Sequence, residues 1–149
     1  MNIALYEPDI PQNTGTMLRT AACLGVGVDV IEPCGFVFSD KHLKRSGMDY
    51  LDLAEVVHHN DWAAFWALRK ETQGRRVVLL STKAAVPYTD FTFQADDIIL
   101  LGSEGSGVPQ AVHDQVDARV TIPMVAGARS LNFAVSCAMV LGEALRQIR

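Results

Sequence analysis

The sequence predicts a single α/β domain built on a largely parallel sheet. Short runs of β-branched and other apolar residues alternate with helical patterns, an order typical of parallel strands joined by helices. The chain has 149 residues, 49% of them hydrophobic, which is enough for one compact domain with a substantial core. Small or polar residues follow several of the apolar runs, and α/β sheets bind ligands at such strand ends. We therefore expect one domain over residues 1–149 with its site at the carboxyl edge of the sheet.

The first part of the chain predicts a strand, a helix and a second strand. Asn2 to Tyr6 is the first strand, and two prolines in the loop after it disfavour a helix in the residues before them. Asn13 or Thr14 then caps a helix that runs to Leu24. A glycine-containing turn closes that helix, and the second strand runs from Val28 to Ile31.

The middle of the chain carries the concentrated basic patch, Lys41 to Arg45, for which a solvated helix face is the ordinary interpretation. Asp61 caps the next predicted helix, Trp62 to Glu71. Its apolar stripe is more typical of a core or a subunit contact than of a surface that stacks on bases. His58 and His59 are adjacent, so they cannot face one site on a regular element, and we predict no metal site.

The second part of the chain contains the strands Arg76 to Ser81, Asp97 to Leu101 and Ala118 to Ile122. The loop Gly102 to Pro109 holds three glycines in its first six residues, which lets backbone approach a ligand closely. Its Gly-x-x-Gly-x-Gly order, with an acid inside, differs from the dinucleotide-binding fingerprint. A glycine-rich turn without a ligand is the plain alternative.

A second polar loop, Ile122 to Asn132, leads into a terminal helix predicted to end at Ile148, with Ser130 or Asn132 as its N-cap. This loop, the glycine-rich loop and the segment Leu80 to Lys83 all follow predicted strands. We expect them to form one pocket of backbone donors, acceptors and apolar walls, suited to a ligand the size of adenosine.

Composition excludes several classes of protein. The formal net charge of −4 argues against coating nucleic acid by bulk charge. Three widely spaced cysteines, Cys23, Cys34 and Cys137, indicate neither a disulfide framework nor a zinc site, and we interpret them as small core residues. We find no signal-peptide pattern and no apolar run long enough to span a membrane, so we expect a cytoplasmic protein.

Three segments of the chain resemble, in order, the three motifs of the SPOUT superfamily of RNA ribose 2′-O-methyltransferases. These are Asn13 to Arg19, Gly102 to Pro109 and Ile122 to Asn132. The segments Leu5 to Gly15 and Asp40 to Tyr50 also resemble its single-domain branch, the TrmL or YibK family, which modifies the wobble nucleotide of tRNA. The resemblance spans nearly the whole chain.

This resemblance implies an enzyme that uses S-adenosylmethionine, has a trefoil knot at its C-terminal end and acts as a homodimer on the anticodon stem-loop of tRNA. The methylated group would be the ribose 2′-hydroxyl of the wobble cytidine or uridine. Arg19 would act at that hydroxyl, either as the base or by positioning a phosphate. The second role is an alternative because the very high pKa of arginine makes it an unusual base. Asn13, Glu104, Ser130 and Asn132 would complete the catalytic set. The cofactor-binding set implied by the resemblance and the strand-end loops is Leu80, Ser81, Thr82, Gly102, Ser103, Glu104, Gly107, Ile122, Met124, Ser130 and Leu131.

Two other functions fit the same residues. One is methylation of ribosomal RNA by the same chemistry, and the other is a non-catalytic dimer that binds S-adenosylmethionine or a nucleotide. The acidic net charge supports the non-catalytic protein, whereas Arg19 and the patch Lys41 to Arg45 favour the enzyme.

The terminal helix carries the prediction of a dimer. It is apolar nearly all round, so it needs cover on more than one side. Ala134, Ala138 and Gly142 recur every four positions, a row along which another helix could approach closely. We therefore expect a two-fold homodimer in which this helix crosses either the same helix or the first helix of the partner. Such a contact would bring Arg19 or the patch Lys41 to Arg45 of one subunit toward the cofactor pocket of the other. The alternative is a monomer in which the helix is entirely covered by its own chain.

Overall fold

Six parallel strands form one sheet in this computed structural model, which describes residues 1–39, 43, 53–71 and 74–149. In chain order the strands are β1 (Asn2–Tyr6), β2 (Gly27–Ile31), β3 (Val56–His59), β4 (Val77–Leu80), β5 (Ile98–Leu101) and β6 (Ala118–Val120). The helices in the described residues are α1 (Pro11–Leu24), α2 (Trp62–Glu71), α3 (Gln110–Gln115) and α4 (Phe133–Ile148), with a 3₁₀ turn at Tyr88–Asp90. The predicted parallel α/β sheet is confirmed.

The strand order is β3-β2-β1-β5-β4-β6. β1 lies between β2 and β5, and its Leu5 is in register with Val30 on one side and Leu101 on the other. Because every pair is parallel, the carboxyl ends of β1, β4 and β5 share one edge of the sheet. The chain leaves β1 toward β2 on one side and later returns to β5 on the other, so the strand order reverses between β1 and β5. Sheets of this class bind ligands outside the carboxyl ends of their strands.

Two apolar layers cover the sheet, one on each face. Ile3 and Leu5 of β1 belong to the core packed against α1 and α4, and Ala4 and Tyr6 belong to the core packed against α2 and α3. This division follows from the alternation of side chains along a strand. The sheet is therefore buried on both faces, and only its edges and strand ends remain for a site.

Helix α1 begins earlier than predicted, so the prediction that Asn13 or Thr14 caps it is wrong. Pro11 is its first residue and Ile10 its N-cap, with no side-chain cap bond. Proline suits this position because its missing N–H would have no partner within the helix and its fixed φ is already helical. Thr14 is buried in the helix instead. The end was predicted correctly, since Gly25 adopts a left-handed φ of 66° directly after Leu24.

The first strand, Asn2–Tyr6, and the helix Trp62–Glu71 have the predicted bounds, and other boundaries differ by one or two residues. β4, β5 and β6 are shorter than predicted at one or both ends, and β3 was missed altogether. Arg76 lies just before β4, and its guanidinium binds Asp97, with Nη2 2.7 Å from Oδ2. Asp61 caps α2 as predicted, accepting the Ala64 N–H over 2.8 Å.

The cysteines were only partly predicted. Cys137 is buried in the core as expected, but Cys34 is half-buried and Cys23 is exposed on α1.

The basic patch Lys41 to Arg45 lies outside the described residues except for Leu43, which is buried. Among the helices of the described ranges, none is long and apolar enough to cross a membrane.

Candidate functional site

A cavity of about 300 Å³ lies at the carboxyl ends of β4 and β5, bounded by the three predicted strand-end loops. Side chains from α3 and the first turn of α4 close it. The whole predicted cofactor-binding set lines this cavity, namely Leu80, Ser81, Thr82, Gly102, Ser103, Glu104, Gly107, Ile122, Met124, Ser130 and Leu131. The structure therefore brings together segments that lie up to about fifty positions apart in the chain.

The glycine-rich loop closes on itself at the floor of the cavity. Ser103 and Gly107 exchange two backbone hydrogen bonds of 2.9 and 2.8 Å. A Cβ atom on Gly102 would lie 2.7 Å from the carbonyl carbon of Gly107, closer than real Cβ contacts, so only glycine fits there. Gly107 adopts a φ of 67°, which a side chain would strain. Both glycines are required by the turn itself, whether or not a ligand binds.

Glu104 extends from this loop toward a neighbouring loop that follows β1. Its Oε2 accepts the Asp9 N–H over 3.1 Å, and Asp9 Oδ1 accepts the Glu104 N–H over 3.1 Å. Burial and the adjacent Asp9 carboxylate raise the pKa of Glu104, and hydrogen bonds from Glu104, Ser103 and Gly105 lower the pKa of Asp9. Sequence reasoning missed this pair, because Asp9 lies in a proline-rich loop and shows no pattern that links it to Glu104.

The start of α4 is fixed by the predicted N-cap. Asn132 Oδ1 accepts the N–H groups of Ala134 and Val135 over 2.9 and 3.2 Å. Its Nδ2 donates to Asn13 Oδ1 on α1 over 3.0 Å. Asn13 and Asn132 line a surface groove between α1 and α4 rather than the cavity. The groove residues are Gln12, Asn13, Thr16, Thr20, Asn132, Ala134, Val135 and Ala138.

The predicted catalytic residues are thus divided between two places. Ser130 and Glu104 line the cavity, whereas Asn13 and Asn132 line the groove beside it. Arg19 is exposed on α1 and lines neither of them within one chain.

Sequence reasoning missed the contribution of α3 to the cavity. Gln110 and His113 both line it, and a spacing of three on a helix could have placed them on one side. The Nε2 atom of His113 is buried and makes no hydrogen bond within the described part of the chain. Its backbone carbonyl accepts the Arg119 Nε–H over 2.6 Å, which fixes the end of α3 against β6.

The two adjacent histidines point to different surroundings, as expected from their alternation on β3. His59 is buried, with Nε2 2.7 Å from Asp29 Oδ1. His58 is more exposed, with Nδ1 3.1 Å from Glu32 Oε1. In the described residues no group of three or more His, Cys, Asp or Glu side chains is arranged to hold a metal ion.

Comparison with known proteins gives the same picture from both sequence and structure. A model of the SpoU rRNA Methylase family matches residues 1–142. A tRNA (cytidine(34)-2′-O)-methyltransferase of Beijerinckia indica is 62% identical over 146 residues, covering 98% of this chain and 91% of that protein.

Two solved structures superimpose closely on the chain. One, described as giving structural insights into the 2-OH methylation of C/U34 on tRNA, is 38% identical, has a TM-score of 0.90 and covers 98% of this chain and 94% of its own. The other is the SpoU methyltransferase AviRb from Streptomyces viridochromogenes in complex with the cofactor AdoMet. It is 28% identical with a TM-score of 0.87, and the match covers 99% of this chain and 57% of that one.

Proposed function

This chain belongs to the SpoU rRNA methylase family, and we propose that it transfers a methyl group from S-adenosylmethionine to a ribose 2′-hydroxyl of tRNA, at the wobble cytidine or uridine. The observation that carries the proposal is the cavity at the carboxyl edge of the sheet, which gathers the whole predicted cofactor-binding set. The tRNA and the position come from the name of the Beijerinckia relative, and uridine comes from the description of the C/U34 structure.

The residues of the cavity fit S-adenosylmethionine. Apolar side chains such as Leu80, Ile122 and Leu131 would enclose the adenine, and hydroxyl and backbone groups of Ser103 and Ser130 would bind the polar atoms. When bound, the cofactor supplies a methyl group on a positively charged sulfur. The AviRb complex with AdoMet supports this choice of ligand.

The chain's own residues have to align the ribose hydroxyl with the methyl group and provide for removal of the hydroxyl proton. Arg19 positions the nucleotide through the phosphate or the hydroxyl, because a guanidinium holds its proton too tightly to be an ordinary base. The bond between Asn132 and Asn13 fixes α1, which carries Arg19, to the loop that carries Ser130. Glu104 reaches the cavity from the other side.

The active form in this proposal is a homodimer. Val135 is 51% exposed and Met139 37% exposed on α4, and Ala138 and Gly142 are exposed beside them. These residues form an apolar face next to the groove, and a second copy would bury it. The predicted small-residue row is shorter than expected, because Ala134 is buried against its own chain. Such a dimer would bring the partner's Arg19 toward the cavity.

The trefoil knot is also part of the proposal. Thr121 donates its N–H to the Val86 carbonyl over 2.8 Å and accepts the Tyr88 N–H over 2.9 Å. Gln147, near the C-terminal end of α4, donates Nε2 to the Phe91 carbonyl over 3.0 Å. The segment after β4 therefore contacts the chain both before and after the final loop, and these contacts support a knot at the C-terminal end. A cytoplasmic location follows from the proposed tRNA substrate.

Incubation of the purified protein with S-adenosylmethionine and either total tRNA or ribosomal RNA tests the proposal. Mass spectrometry of nuclease fragments of the tRNA should find a new 2′-O-methylated cytidine or uridine at position 34. Methylation confined to ribosomal RNA would favour the alternative substrate, which the name of the family supports. Binding of the cofactor without any transfer would indicate the non-catalytic dimer.

A further inference from the structure

We infer that Asp9 is a positioning residue that keeps the Glu104 carboxyl group protonated, so that it faces the cofactor cavity as a hydrogen-bond donor. This inference rests on the proposed function, which makes the cavity the cofactor site. It concerns the loop after β1, to which sequence reasoning assigned no role in the site.

The first support is the geometry of the pair. Asp9 Oδ1 accepts the Glu104 N–H over 3.1 Å, and Asp9 Oδ2 accepts the Gly105 N–H over 3.3 Å. The Asp9 N–H in turn donates to Glu104 Oε2 over 3.1 Å. The Asp9 carboxylate is therefore bound by backbone donors that stabilise its anionic form, and it cannot turn away from Glu104 without losing them.

The second support is close packing around Asp9. A Cβ atom on Gly35, in the loop after β2, would lie 2.8 Å from the Asp9 Cβ. Gly35 also donates its N–H to the Pro8 carbonyl over 2.9 Å. Glu7, two residues before Asp9, has a positive φ of 42°, which is unusual for a residue with a side chain. Three loops therefore hold the Asp9 carboxylate in place.

The third support is the state of Glu104 itself. The two carboxyl groups interact directly, and two adjacent carboxylates cannot both stay ionised at little cost. Two backbone N–H groups donate to the Asp9 carboxylate and one donates to Glu104, so Asp9 keeps the charge, while burial and this charge raise the pKa of Glu104. Glu104 Oε1 is buried and has no hydrogen-bond partner within the described residues, and Glu104 is one of the residues that line the cavity.

Other charged or titratable groups surround the pair without being part of it. Lys83, His113 and Arg129 line the same cavity, and Glu32 and Cys34 lie in or next to the loop after β2. Their titration would also change the affinity for the cofactor. The test therefore has to isolate the change in affinity that is due to deprotonation of Glu104.

Calorimetry with S-adenosylhomocysteine as the probe, repeated across a range of pH, separates the effect of Glu104 from the effects of the other groups. In the unchanged protein the affinity should fall about 3- to 10-fold as Glu104 loses its proton and its donor. Asp9→Asn keeps one side-chain oxygen, which can still accept the Glu104 N–H, but removes the charge, so the fall should begin at lower pH. At pH values low enough to protonate Glu104 in both proteins, the two affinities should agree.

Two further variants complete the design. Glu104→Gln should lose this pH-dependent fall in affinity, since an amide donates at every pH. Asp90→Asn removes the same charge from an exposed position and should show the same fall as the protein without substitutions. A uniform loss of affinity at all pH values in Asp9→Asn would reduce Asp9 to a structural role and overturn the inference. Persistence of the pH-dependent fall in Glu104→Gln would overturn it even if the Asp9 variant did not fold. Failure of the unchanged protein to bind the probe at any pH would instead contradict the proposed function.

Discussion

The Asn132 side chain donates a hydrogen bond to Asn13 Oδ1 over 3.0 Å, joining residues 119 positions apart. The same side chain caps α4 through its other atom, Oδ1. One residue thus begins the terminal helix and attaches it to α1, which carries Arg19.

Substitution of Asn132 and substitution of Asn13 should change the stability of the fold by different amounts. Asn132→Ala loses the cap and should lower stability by about 1 kcal/mol, or about 2–4 °C in melting temperature. Asn13→Ala leaves the cap in place and should change melting much less. Both variants should lose methyl transfer about 10- to 100-fold, because α1 is no longer fixed to the final loop. Thermal melting and initial rates measure the two effects, and full activity in Asn13→Ala would show that the bond has no catalytic role.

Gly102→Ala should destabilise the protein by about 1–3 kcal/mol, because the new methyl group would press on the Gly107 backbone. Ser106→Ala, an exposed substitution in the same loop, is the matched control and should melt almost like the unchanged protein. Chemical denaturation of both variants gives the comparison. Equal stability of the two would mean that the turn relaxes at little cost.

Arg19→Ala should reduce methyl transfer by at least about 100-fold while leaving the affinity for S-adenosylhomocysteine nearly unchanged. The physical reason is that Arg19 lies outside the cavity of its own chain and serves the nucleotide rather than the cofactor. Lys70→Ala removes the same charge from an exposed position on α2 and should keep full activity. Retained transfer by the Arg19 variant would assign its role to another residue.

Ala138→Glu should convert a dimer into single chains, because it places a charge in the groove between α1 and α4. Sedimentation at micromolar concentration should show the mass of two chains for the unchanged protein and of one chain for this variant. Val37→Glu, at an apolar residue that is 70% exposed outside the groove, should stay dimeric. A one-chain mass for the unchanged protein would contradict the dimer, and a fully dimeric Ala138→Glu would move the interface elsewhere.

The sequence predicted those parts of the structure that depend on local chemistry. Alternating apolar runs located five of the six described strands, and Asp61 and Asn132 were recognised as caps because their chemistry acts within three residues. The start of α1 was wrong because proline fits both a loop and a first helical turn. The Asp9 and Glu104 pair could not be predicted, since 95 positions separate its members and only the pairing of β1 with β5 brings them together.

Transfer of a labelled methyl group to two anticodon stem-loops that differ in one atom tests the proposed reaction most directly. One carries an ordinary ribose at nucleotide 34 and the other a 2′-deoxyribose at that position only. Incorporation from S-adenosylmethionine should occur with the first and be absent with the second, because the proposed acceptor is that hydroxyl. Equal incorporation into both would place the methyl group on another atom and contradict ribose methylation at the wobble nucleotide.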